Sequence, residues 1–296
     1  MQKHITVLQS EAIEALAIKP NAIVVDATLG SGGHARTIIP KLLKAGTFIG
    51  IDADAEAISQ AEEELTGKCT LHFVTDNFRN INSILDDRGI GNVDAILADL
   101  GWRMEQFSGN GKGFSFQIDE PLMMTFGNPS DYPFVASDIL NKWKEKDIEN
   151  VLMAYGEERY AYKIAKKIVE IRAKEPIMTT FQFVKVITSA VPSFYLHSKV
   201  HPATRSFQAL RIAVNDELDA LQEFIQHAVL RLNSHGRLAI ISFQSLEDRI
   251  VKHSFRALMT ANVGTVITKK PMCADKNEIQ QNPRARSAKL RIFEKI

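Results

Sequence analysis

Apolar and polar positions alternate along this chain with two different periods. Between His4 and about Ala17, the residues Val7, Leu8, Ala12, Ile13 and Leu16 fall near helical spacing. That spacing predicts a short amphipathic helix. Compact apolar runs then end in polar residues at Ala22–Asp26, Thr47–Asp52, Leu71–Val74 and Val93–Asp99, and predict four buried strands. Helical composition fills Ala35–Ala45 and Asp54–Leu65 between them. Strands alternating with helices predict βαβ units and a parallel sheet.

The alternation breaks after Asp99. The next strand pattern, Arg237–Phe243, starts 138 residues later, whereas a βαβ unit needs about 30. Helical patterns occupy Lys146–Met153, Glu157–Lys174, Thr180–Ala190 and Arg205–Leu232, the last ending near Gly236. The reading is a core of residues 1–103 and 201–296 interrupted by a mostly helical insertion, 104–200. Within the insertion, the Gly- and Phe-rich stretch Ser108–Gly127 reads as an ordered loop. Gly264–Thr268 and Ala288–Phe293 close the chain as two strands with no crossover helix evident between them. The expected fold is therefore α/β. It is a Rossmann-like seven-stranded sheet with an antiparallel last strand, as in class I S-adenosylmethionine-dependent methyltransferases, carrying an inserted helical domain.

Bulk composition narrows the class. The chain is 45% hydrophobic and 24% charged, which suits an ordinary globular protein. No apolar run reaches the roughly 18 residues of a membrane span, and no secretory signal opens the chain, so a cytoplasmic protein without membrane contact is expected. Cys69 and Cys273 fit neither a disulfide framework nor a paired metal site, and no metal is expected. Net charge is only +1, but from Lys269 to Ile296 eight Lys/Arg face three Asp/Glu. Such local positive charge is what phosphate binding requires; a solvated tail is the alternative.

Gly30-Ser31-Gly32-Gly33-His34-Ala35 satisfies G-x-G-x-x-G/A, and Asp52 follows Gly30 by 22 residues. The pattern alone suits NAD, FAD or S-adenosylmethionine. The glycines allow a tight turn and close approach of backbone to ligand, and the acid accepts hydrogen bonds from ribose. Asp26, four residues before Gly30, separates these ligands. A carboxylate there repels a pyrophosphate and attracts an ammonium and a sulfonium, which favours S-adenosylmethionine; capping of the loop backbone is the structural alternative. Phe78 lies where this fold meets an adenine, or else belongs to the core.

Asp99 closes the fourth strand, beside the crevice where open parallel sheets bind ligands. Asp99-Leu100-Gly101-Trp102 keeps the acid-to-aromatic spacing of amino-group methyltransferases, although the middle pair differs. An exocyclic amine conjugated to its ring is a poor nucleophile, and an acceptor for its hydrogens frees the lone pair. Asp99 is the candidate acceptor, and Trp102 stacks on a base or simply packs.

Longer motifs then carry a resemblance. They include His4-Ile5-Thr6-Val7-Leu8, Asp26-Ala27-Thr28-Leu29-Gly30-Ser31-Gly32-Gly33-His34 and Gly113-Phe114-Ser115-Phe116. Tyr155-Gly156-Glu157-Glu158, the stretch His201–Ile212, Ser245-Leu246-Glu247-Asp248-Arg249 and the stretch Asn282–Arg291 follow. Across nearly the whole chain the sequence resembles the ribosomal RNA small-subunit methyltransferase H family, whose members methylate cytosine N4 in the decoding centre of 16S RNA. The resemblance implies that Gly32, Gly33, His34, Asp52, Phe78, Asp99 and Gln106 contact S-adenosylmethionine. It implies that the insertion forms a lid over the RNA, and that residues 201–212 and 282–291 line the substrate side. The implied partner is 16S RNA or the small ribosomal subunit, with a homodimer left open. On the RNA side stand His201, Arg205, Arg211, Gln244, Arg249, Arg284, Arg286 and Arg291. The arginines suit phosphate contacts, while Arg211 and Arg249 have a competing reading as partners of Glu217 or Glu247.

The chain departs from the family near the target nucleotide. Trp102-Arg103-Met104 replaces Val or Cys followed by two serines, and Leu122-Met123-Met124-Thr125-Phe126 replaces Leu-Asp-Met-Arg-Met. Gln244 replaces a histidine. The alternatives are an RNA-binding homologue with reduced or lost turnover, and an amino-methyltransferase of another nucleic acid.

Overall fold

The computed structural model describes residues 5–100 and 111–296. Contacts divide the chain into two compact units, residues 1–102 with 218–296 and residues 103–217.

The first unit is built on β1 (Ile23–Asp26), β2 (Thr47–Asp52), β3 (Thr70–Thr75), β4 (Val93–Asp99), β5 (Leu232–Ser242), β6 (Gly264–Val266) and β7 (Lys289–Lys295). They form one sheet in the order β3-β2-β1-β4-β5-β7-β6. The first five neighbours pair parallel, and β7 is antiparallel to both β5 and β6. This is the expected class I arrangement. Alternate strand residues enter two separate cores. Val24, Phe48, Ala95, Leu97, Ala239 and Ile241 point into one; Val25, Ile49, Ile51, Ile96, Ala98 and Ile240 point into the other. Burial of both faces is why these strands read as continuous apolar runs.

Helices α1 (Gln9–Ala15), α2 (Ala35–Ile38), α3 (Ala55–Glu64) and α4 (Ile81–Asp86) accompany the first four strands. Helix α2 is shorter than the expected Ala35–Ala45, because Pro40 lacks an N–H and the chain turns 3-10 over Ile39–Lys41. The Asp54 side chain caps α3 by accepting the Glu56 N–H at 3.0 Å.

The second unit contains α5 (Ala136–Lys142), α6 (Glu145–Gly156), α7 (Ala161–Arg172), α8 (Thr180–Ala190), α9 (Ser193–Leu196) and α10 (Thr204–Asn215). Ile148, Leu152, Ile164, Phe183 and Leu210 lie in its core. The insertion expected at 104–200 thus extends to residue 217, because α10 packs on α6. A Cβ on Gly156 would come within 2.6 Å of the Arg205 carbonyl, so only glycine admits this approach. The single helix expected over Arg205–Leu232 is two. Asp216, with φ 50°, breaks it between α10 and α11 (Glu217–Arg231). Helices α12 (Ser245–Thr260) and α13 (Lys276–Gln281) complete the first unit. No helix among the described residues is long and apolar enough to cross a membrane.

Candidate active site

The carboxyl ends of β1, β2 and β4 bring Asp26, Asp52 and Asp99 to one edge of the sheet, around the glycine loop. Gly30 and Gly32 have φ of 54° and 74°, a region L side chains enter only with strain. The Gly30 N–H donates to Asp52 Oδ2 at 2.7 Å, and the Asp54 N–H donates to Oδ1 at 2.9 Å. Asp52 therefore pins the loop to β2. Gly33 carries no strain, but a Cβ there would lie 2.1 Å from Thr6 Oγ1. Gln9 donates to the Gly33 carbonyl at 2.8 Å, which ties α1 to the same turn.

Asp26 is 1% exposed. Its Oδ1 accepts the Thr28 N–H at 3.3 Å, while Oδ2 is buried without a hydrogen-bond partner among the described residues. Burial pushes this carboxyl up to about 6, against the opposing pull of His34 and the Thr28 N–H. The backbone-capping alternative thus accounts for one oxygen only. An orphaned carboxylate oxygen at a ligand edge is a site for a cation, and it fits the ammonium of S-adenosylmethionine. The glycine turn fits close approach of the same molecule.

His34 begins the turn into α2 and is 5% exposed. Its Nε2 lies 3.5 Å from Asp99 Oδ2. Burial opposes a charge on this ring, but contact with Asp99 and the attraction of Asp26 prevail and hold its pKa above the usual histidine value. The Asp99 N–H donates to Thr28 Oγ1 at 2.6 Å, fixing the tip of β4 to the loop after β1. Thr28 and Thr6 were not among the expected site residues. Each is a small polar residue in a matched motif, and that was the available signal. Phe78 is half-buried and meets Phe224 edge to face, with ring centroids 5.0 Å apart. Trp102 and Gln106 lie outside the described residues.

The arginines expected at RNA separate by burial. Arg211 is 2% exposed and forms a bidentate pair with Glu217, at 2.6 and 2.8 Å. Arg291 is 6% exposed and donates to Asp248 Oδ1 at 2.6 Å. Burial works against the Asp248 charge, yet Arg291 and Lys289 hold its pKa below the usual carboxylate range. Both arginines are committed to carboxylates inside the fold, so the reading of them as phosphate contacts gives way to a structural one. Arg249, Arg284 and Arg286 are exposed. Asn282 opens the basic segment at a 3-10 turn over Pro283–Ser287. Its side chain accepts the Arg284 N–H at 3.3 Å and donates to the Ile5 carbonyl at 2.9 Å.

Gln244, at the head of α12, donates to Glu247 Oε1 at 2.7 Å and leaves its own Oε1 buried without a partner among the described residues. In the second unit, Arg205 donates to the Glu157 carbonyl at 2.9 Å. The His201 ring stacks on Phe116 at 4.3 Å. The departure at Thr125 is absorbed internally. Thr125 is fully buried and donates to the Gly127 carbonyl at 3.2 Å. Asn215 holds the flanking Met124 carbonyl and Phe126 N–H at 2.7 and 3.0 Å.

The sequence profile of the MraW methylase family matches residues 1–296. The ribosomal RNA small subunit methyltransferase H of Brevibacillus brevis strain 47 is 42% identical over 311 residues, spanning 99% of this chain and 98% of that protein. Its counterpart from Clostridium botulinum strain 657 is 42% identical over 309 residues, covering 99% of each chain. The protein of the same name from Clostridioides difficile strain 630 is 41% identical over 309 residues, again covering 99% of each.

Proposed function

Since the chain belongs to the MraW methylase family, we propose that it transfers a methyl group from S-adenosylmethionine to cytosine N4 in the decoding centre of 16S ribosomal RNA. The family and its full-length relatives support ribosomal RNA as the substrate class. The observation that carries the choice of an amine is Asp99 at the tip of β4, beside Asp26 and the glycine loop. An RNA substrate would place the protein in the cytoplasm.

Asp26, the Gly30–Gly33 backbone, Asp52 and Phe78 would hold the cofactor. When bound, S-adenosylmethionine supplies an electrophilic methyl group on a sulfonium, and its leaving thioether is neutral. No oxyanion then needs stabilising, so positioning is the main contribution open to the protein. The cytosine amine shares its lone pair with the ring. Asp99, accepting an amine hydrogen, lets the nitrogen turn that pair toward the methyl carbon. The nitrogen sheds its extra proton to the Asp99 carboxylate or to water. Methylated nitrogen is strongly acidic at that moment, so a weakly basic carboxylate suffices. Arg249, Arg284 and Arg286 are the exposed cations that would hold the RNA backbone.

The test is nucleoside mass spectrometry on small-subunit RNA lacking the modification, incubated with the full chain and S-adenosylmethionine. N4-methylcytidine is expected from the natural chain and none from Asp99→Ala. A methylated adenosine, a methyl at another cytosine position, or RNA binding without turnover would each overturn the assignment.

A further inference from the structure

Beneath the tips of β1 and β4, three titratable side chains come together. Asp26 Oδ2 and both ring nitrogens of His34 are buried and unpartnered among the described residues, and Asp99 Oδ2 stands 3.5 Å from His34 Nε2. Leaving such groups unsatisfied is costly, and burying a charge is costlier still unless it is paired. A neutral imidazole offers one N–H only, and its other nitrogen carries a lone pair to which no described residue donates. An imidazolium presents a positive edge on both sides.

We propose that His34 is a positioning residue for Asp99, present as an imidazolium that keeps the acceptor carboxylate ionised and aimed at the amine. The need for it follows from the neighbours. Asp26 on β1 and Asp99 repel one another as like charges, and a base closing over the site strips water from both. Repulsion and desolvation would then drive a carboxylate to take up a proton, and a protonated Asp99 no longer accepts from the amine. His34 offsets both effects. No other cation among the described residues does so from the same turn. Arg36, two residues on, donates to the Ser31 carbonyl and pairs with Glu64. The α1 side contributes Gln9 and Thr6, which are uncharged. During transfer the N–H bond of the amine breaks, and an O–H bond forms on Asp99 or on water. His34 keeps its proton throughout.

The inference rests on reading Asp99 as the acceptor, and its first test needs neither RNA nor turnover. In the full-length protein labelled with 15N-histidine, the His34 ring nitrogens are expected to resonate as a doubly protonated ring at pH 7. In Asp99→Asn the titration midpoint should fall by about one pH unit or more. A neutral ring at pH 7, or a midpoint indifferent to Asp99→Asn, would overturn the proposal. The second test is kinetic. In His34→Asn the acid limb of kcat/KM, measured at saturating cofactor, should move up by roughly one pH unit. An unmoved limb would also overturn it. Should His34→Asn fail to fold, the resonance measurement on the natural chain still decides. Absence of N4-methylcytidine in the nucleoside analysis would sink the proposed target while leaving the His34 titration to be read independently.

Discussion

At the end of β1, Asp26 holds its carboxyl at about 6 in place of 3.8, chiefly through burial. A raised carboxyl favours the protonated fold. It contributes stability that is fully present below 3.8 and lost as pH rises through about 6. Asp26→Asn should remove that dependence, a term of at most roughly 3 kcal/mol, measurable as a flatter profile of unfolding free energy against pH. Cofactor binding should run the other way, since an ammonium favours the ionised form. Calorimetry should therefore show S-adenosylmethionine affinity strengthening as pH rises through about 6 in the natural chain, and a weaker, flat profile in Asp26→Asn. A flat profile in the natural chain would remove Asp26 from the cation site. The residues of this edge were legible because chemistry tied each to a position on the pattern: a strand end for Asp26 and Asp99, a turn for the glycines. What the pattern could not carry was mutual geometry. Nothing in the spacing places His34 beside Asp99, and the reading of Asp52 as a ribose acceptor missed its hydrogen bonds to the Gly30 and Asp54 N–H groups.

Elements were most legible where burial forced a period. Strand β4 occupies Val93–Asp99 as expected, since both faces are covered and the apolar run has nowhere else to go. The break between α10 and α11 was hidden, because neither Gly nor Pro marks it. The turn rests on the left-handed Asp216. The Arg211–Glu217 pair straddles that break, and it explains why an arginine in a motif expected at RNA is inside the second unit. Breaking a buried ion pair by removing one partner typically costs about 3–5 kcal/mol, because the other charge is stranded. Arg211→Ala should lower the denaturant midpoint accordingly, and Arg211→Met with Glu217→Gln should recover much of the loss. If Arg211→Ala instead leaves stability unchanged and weakens RNA binding, the phosphate reading of Arg211 returns.

At the scale of the whole molecule, a net charge of +1 hides a division of labour among the cations. The buried Arg211 and Arg291 neutralise half-buried carboxylates; Arg249, Arg284 and Arg286 stand at the surface. Motif and composition alone offer all five to RNA, with a pairing alternative for Arg211 and Arg249, and burial separates Arg211 and Arg291 from the rest. Salt dependence can make the same distinction in solution. A cation that contacts a phosphate releases a counterion on binding, and each lost contact lowers the slope of log affinity against log salt by roughly 0.7–0.9. Arg286→Ala should thus flatten the slope by nearly one and weaken binding about equally for different RNA sequences, because phosphates carry no sequence information. Arg291→Ala should leave the slope alone and reduce stability, since Asp248 would lose its bond to Arg291, a loss that the Lys289 bond at 3.0 Å offsets only in part. Fluorescence anisotropy of labelled RNA over a salt series, with thermal melts of the same preparations, separates these outcomes. An unchanged slope in Arg286→Ala would exclude that residue from the phosphate contacts and leave the basic tail a solvated surface.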